Sequence, residues 1–194
     1  MSPARRFKLV IMFFESSGML TIDRNVSALL LIDLQIRMIP AINDVTMILK
    51  NTSSLIAGST ILEIPRLFTE HNPAGLGHTI EDLKPHGVPI IQKMTFDACR
   101  SPDIGKLPDK RSIIVAGCEA HVCVLQTVLG LLDLGRRVYV VEDAVGSRDP
   151  KSKTTALHRM ASHGAEIVST EMVLFEWVES AEHPRFREVL ALVK

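Results

Sequence analysis

A cysteine that attacks a carbonyl needs a group to take its proton, a cation to hold the developing charge, and N–H groups to receive an oxyanion. The segment Val115 to Cys123, VAGCEAHVC, offers the beginnings of that setting. It reads as a buried strand, a small-residue break and the start of an apolar helix, whose free N–H groups would favour an anion at Cys123. A thiol with an ordinary pKa of about 8.5 ionises only in part at neutral pH. Lys93 is placed to supply positive charge and Asp33 to accept the proton. Both stand at or just beyond the C-terminal ends of predicted strands, where open α/β sheets bind their ligands. Each residue also has an ordinary reading: Cys123 as a buried structural thiol, Asp33 as a cap, Lys93 as a solvated charge. Taken together at strand ends, they point to a cysteine hydrolase.

Other chemistries find less support. Gly75-Leu76-Gly77 lacks the third glycine of a dinucleotide fingerprint, and no P-loop, HExxH or GxSxG occurs. Cys118 and Cys123 do not have CxxC spacing, and His71 and His78 lie in a Gly- and Pro-rich stretch that reads as a solvated loop. No metal and no cofactor is expected.

The elements that must position these residues follow from apolar patterning. Ser27–Ile32 (SALLLI) is apolar on both faces and suits a buried parallel strand ending at Asp33. Further strands are expected at 64–68, 88–92, 112–116, 137–141 and 165–168. A helix starting after Pro40 has Asn43 or Asp44 to cap it. Others begin near His121, stopping by Gly135, and span 150–163 and 184–193. Strands alternating with helices imply a three-layer α/β/α fold around a six-stranded, mostly parallel, Rossmann-like sheet. Residues 1–24 read as an N-terminal extension and 25–194 as one domain.

The 194 residues carry 22 basic and 22 acidic side chains, so no net field draws the chain to nucleic acid or to an anionic membrane. Three cysteines are too few for a disulfide framework, which favours a cytoplasmic setting; the basic start leaves an organellar signal as the alternative.

At LLIDLQIRM (30–38), LFTEHNPAGLG (67–77), IQKMTFDAC (91–99), VAGCEAHVCVLQTVLGLLDLG (115–135) and VYVVEDAVGSR (138–148), the chain resembles the isochorismatase-like cysteine hydrolases. The similarity is strongest to the isochorismatase domain-containing subgroup. The resemblance implies an Asp33, Lys93, Cys123 triad and a non-proline cis peptide at Cys118-Glu119. It also implies an oxyanion hole formed by the backbone N–H groups of Glu119 and Cys123. The activity implied is amidase-like, passing through a Cys123 acyl-enzyme on a small-molecule substrate.

Two departures qualify this. The stretch Thr69-Glu70-His71-Asn72-Pro73 lacks the aspartate of the metal-binding loop in nicotinamidases. Cys123 is present where isochorismatases acting on a vinyl ether can lack it. Gln35, Leu76, Met94 and Phe96 are possible pocket residues, and an apolar entrance there favours a small neutral substrate. The family commonly forms homo-oligomers, for which the N-terminal extension or the final helix would supply apolar surface. A different reading is a catalytically weak or inactive scaffold acting in assembly or partner binding.

Overall fold

The computed structural model describes residues 20–84 and 87–194. Six parallel strands form one sheet in the order β3-β2-β1-β4-β5-β6. They are β1 (Ser27–Ile32), β2 (Arg66–His71), β3 (Ile90–Lys93), β4 (Ser112–Cys118), β5 (Arg137–Gly146) and β6 (Glu166–Val168). Helices α1 (Val45–Ile61), α2 (Pro73–Leu76), α3 (Leu125–Asp133), α4 (Pro150–Ser162), α5 (Thr170–Val178) and α6 (Phe186–Ala191) complete the unit.

The continuous apolar runs are explained by two cores. Successive side chains of a strand point to opposite faces. In β1, Leu29 and Leu31 enter the core that holds Trp177 and Leu174 of α5, while Ala28, Leu30 and Ile32 enter the core that holds Val128 and Leu131 of α3. Ile114 and Ile113 of β4 divide in the same way, as do Tyr139 and Val138 of β5. A strand with two dry faces has no polar side to alternate with.

Several boundaries differ from the sequence reading. The second strand begins at Arg66 and runs to His71, which leaves Pro65 outside; its carbonyl accepts the Leu29 N–H at 2.9 Å. Similarly, β3 starts after Pro89, whose carbonyl accepts from Phe68, and ends on Lys93. A proline cannot donate to a ladder, so each strand starts just past one. The fifth strand extends to Gly146, and α5, unassigned from sequence, is capped by the Ser169 side chain. The side-chain cap expected at Asn43 or Asp44 is not made, because Asp44 sits in a left-handed conformation and its carboxylate takes the Asn43 amide at 2.6 Å.

The final helix is shorter than expected, and its apolar face is already used. Val189 is fully buried, and Phe186, Leu192 and Val193, half-buried, pack on the same core, so much of this helix's apolar face is spent within the unit. Ile22 is also in that core, so the packed unit takes in residues assigned from sequence to the extension. The rest of that extension, 1–19, lies outside the described residues.

The strand order reverses direction between β1 and β4, where the crevice of an open α/β sheet forms. Asp33 leaves β1 and Cys123 follows β4, one on each side of that point.

Candidate functional site

Asp33 is fixed by the backbone before its side chain acts. It adopts a left-handed conformation (φ 49°), its N–H donates to Thr69 O at 3.1 Å, and its carbonyl accepts from Gln35 N at 2.9 Å. A non-glycine residue held there costs on the order of 1 kcal/mol and marks a site where geometry is imposed. The bend turns the carboxylate over the C-terminal edge of the sheet. There Thr69 Oγ1 donates to Oδ1 at 2.5 Å and Lys93 Nζ to Oδ2 at 2.7 Å.

Lys93 ends β3, two strand spacings or roughly 10 Å from β1. Its long side chain crosses the end of β2 to reach Asp33 and also donates to Phe96 O at 3.3 Å. Both ionic side chains are at most 1% exposed. Such a pair loses much of its attraction to desolvation, so it is weak evidence of a stabilising device and better evidence of a working one.

Cys123 arrives from the other side of the switch point. Between β4 and α3 the chain makes a wide helical turn, Ala120–Val124, of the π type often found at functional sites. The peptide between Cys118 and Glu119 is cis. Glu119 O accepts from Val122 N at 3.0 Å and Val124 N at 3.2 Å, which folds the turn back and brings Cys123 to a cavity wall. Burial pushes the Cys123 thiol well above its ordinary pKa; the negative charge of Asp33 raises it further and Lys93 pulls it back. Burial and the neighbouring Asp33 thus work against a preformed thiolate. The Cys99 and Cys118 thiols are also pushed up, to about 12, chiefly by burial.

The cavity measures about 310 Å³ and joins Asp33 and Cys123 to Arg37, His71, Glu119 and Arg148 over apolar walls that include Leu76 and Phe96. The structure thus brings together Asp33, Lys93, Cys123, Glu119, Leu76 and Phe96. It does not bring the other two pocket residues. Gln35 is fully buried below the wall, where it accepts from His71 N at 2.8 Å and donates to His71 O and Gly77 O. Met94 is 72% exposed and lines a separate surface depression with Asn72 and Gln92.

His71 departs from its loop reading. It ends β2 on the same face as Thr69, lines the cavity and packs against Phe96 at 5.1 Å between ring centroids. Its Nδ1 is buried without a partner among the described residues. His78 pairs instead with buried Glu70 at 3.0 Å. Among the described residues, no group of three or more His, Cys, Asp and Glu side chains is arranged to hold a metal ion.

Sequence reasoning missed Thr69, Arg37, Arg148 and the carboxylate of Glu119. Glu119 Oε2 accepts from both Arg148 N and Arg148 Nε at 3.0 Å, which ties the strand-end VGSR segment to the turn that carries Cys123. The available signal was Arg148 immediately after an apolar strand, at the same sheet edge as the triad candidates.

A family model described as Isochorismatase domain matches residues 27–172. Isochorismatase domain-containing protein 2 of Danio rerio is 36% identical over 172 residues, covering 86% of each chain. A solved structure described as MAR1 ribonuclease from Caenorhabditis elegans superposes with a TM-score of 0.85 at 38% identity, covering 89% of this chain and 92% of that one. The YcaC protein of Escherichia coli, described as an octameric hydrolase of unknown specificity, shares the fold with a TM-score of 0.81. Its identity is 24%, over 92% of this chain and 89% of that one.

Proposed function

This chain belongs to the isochorismatase family, and from that premise we propose that it is a cysteine hydrolase cleaving the C–N bond of a small amide or carbamoyl compound. The observation that carries the reading is the Cys123 thiol on the wall of a small cavity beside the buried Asp33–Lys93 pair. Asp33 takes the thiol proton as Cys123 attacks the substrate carbonyl, and the proton passes to the leaving nitrogen as the C–N bond breaks. Water then gives a proton to Asp33 and attacks the thioester, releasing the acid and restoring the thiol. Because burial works against a free thiolate, sulfur loses its proton as it attacks, and the Lys93 contact holds the Asp33 carboxyl in position to accept it. The N–H groups of Glu119 and Cys123 belong to the turn at the cavity wall and are assigned to the oxyanion. The mechanism draws on no metal or cofactor.

The test is a screen of small amides and carbamoyl compounds for ammonia release by the parent protein and by C123A. Turnover that disappears in C123A is the expected result. Equal turnover in both proteins, or none across the screen with a correctly folded parent, would sink the hydrolase reading. The name carried by the C. elegans relative supplies a second assay, degradation of RNA. The neutral overall charge of this chain argues against that activity, and RNA cleavage lost in C123A would favour it.

A further inference from the structure

Counting charge around the cavity changes the substrate expected from sequence. Asp33 is neutralised by Lys93, and Glu119 by Arg148. One lining cation remains. Arg37 has no ion-pair partner among the described residues; its Nη1 donates to Gly75 O at 2.7 Å, which satisfies one donor of the guanidinium without cancelling its charge. Arg148 adds to this, because its pairing with Glu119 uses Nε and leaves a side chain that is 65% exposed with further donors. The same cavity that holds the arginines and the sulfur has apolar walls from Met38, Ala41, Leu76 and Val122.

We infer that the substrate is a monoanion: a short-chain carboxylic acid carrying the amide or carbamoyl group at its other end, with the carboxylate on Arg37 and Arg148. A single uncompensated cation matches one negative charge. A phosphate dianion would leave charge unmet, and a neutral amide would leave the Arg37 fork without the planar acceptor it suits. The cavity volume corresponds to roughly ten water molecules, which is room enough for such an acid. An apolar stretch between the charged and scissile ends matches the apolar walls. This inference rests on the hydrolase reading for its scissile end alone; the anion site stands on Arg37 and Arg148.

The test compares succinamate with butyramide, which differ by a carboxylate in place of a methyl group. Calorimetric titration of C123A measures binding without turnover. Succinamate is expected to bind tighter by about tenfold or more, the factor that one charge-assisted hydrogen bond supplies. The preference should shrink toward one in R37Q/C123A, survive in part in R37K/C123A, and fall in C123A itself as salt rises from about 20 mM to about 0.5 M. The salt series does not depend on the Arg37 variants folding. Equal affinity for the two compounds in C123A, binding of neither at millimolar concentration, or a preference unchanged in well-folded R37Q/C123A would overturn the anion site. Parent turnover indifferent to the carboxylate would likewise overturn it while leaving the hydrolase reading intact. An Arg37-dependent preference with no ammonia released by the parent would sustain the anion site and remove the hydrolase.

Discussion

At the scale of single residues, Asp33 acts on Cys123 in two opposed ways. Its negative charge holds the thiol proton on, and its carboxylate is the only acceptor the mechanism gives that proton. Replacing Asp33 with Asn separates the two effects. With the negative charge removed and Lys93 left unpaired, the thiol ionises more readily, so the pH midpoint for alkylation of Cys123 should move down relative to the parent. Turnover should fall by roughly two to four orders of magnitude, because the proton acceptor is gone. Residue-resolved alkylation rates compared at matched pH from about 6 to about 10, where a lowered midpoint shows as faster labelling of Cys123 in D33N than in the parent, check this alongside the ammonia assay. A midpoint that rises, or parent-like turnover, would contradict this account. Asp33, Lys93 and Cys123 were legible in sequence because each follows an apolar run, and a strand's end can be read from where such a run stops. Thr69 and Arg37 were not, since a threonine inside a strand and an arginine after one look ordinary until register sets them beside Asp33 and the cavity.

At the scale of elements, the site depends on how closely β1 and β4 approach at the switch point. Gly117 lies opposite Ile32 in register, its φ is 126°, and a Cβ built there would lie 2.1 Å from the Ile32 carbonyl oxygen. That contact is backbone against backbone, so no rotamer change relieves it. Replacing Gly117 with Ala should cost roughly 3 kcal/mol and lower Tm by about 10 °C, with activity reduced because Asp33 and the turn of Cys123 are carried by the two strands pushed apart. Thermal melts and the ammonia assay check this, and a parent-like Tm would show that the approach is not tight. The cis link beside this glycine was anticipated only through family resemblance, and the strand order was not read from sequence at all. The shift of β2 to Arg66–His71 was not, because a Pro65-containing run looks continuous with the strand that follows it. Since that shift also carries His71 out of a presumed loop and onto the cavity wall, a boundary error of a few residues became an error about the site.

At the scale of the whole molecule, all three thiols resist ionisation. Cys99 and Cys118 are pushed up to about 12, and Cys123 is raised as well, mainly by burial, against about 8.5 for a thiol in the unfolded chain. Tyr139, also raised to about 12 chiefly by burial, joins them only above about pH 10, where an unfolded tyrosine begins to ionise. The sign follows directly. Above about pH 8.5 the unfolded chain releases thiol protons that the native protein keeps, so the native state binds more protons and stability falls as pH rises. Below that pH both states are protonated and these groups contribute no slope. Each thiol removes roughly 1 kcal/mol per pH unit beyond about pH 9, and three together take a large share of the roughly 5–15 kcal/mol that holds a domain folded. Denaturant titrations at pH 7, 8, 9 and 10 (spanning the unfolded thiol's value of about 8.5) should therefore be flat to about pH 8 and then decline. C99S, which removes the half-buried thiol at least risk to the core, should lessen the decline by about a third. Stability constant from pH 8 to 10, or an unaltered slope in C99S, would mean that the thiols ionise as freely in the fold as outside it. In that case Cys123 would rest as a thiolate at alkaline pH, and the attack would no longer need Asp33 to take its proton.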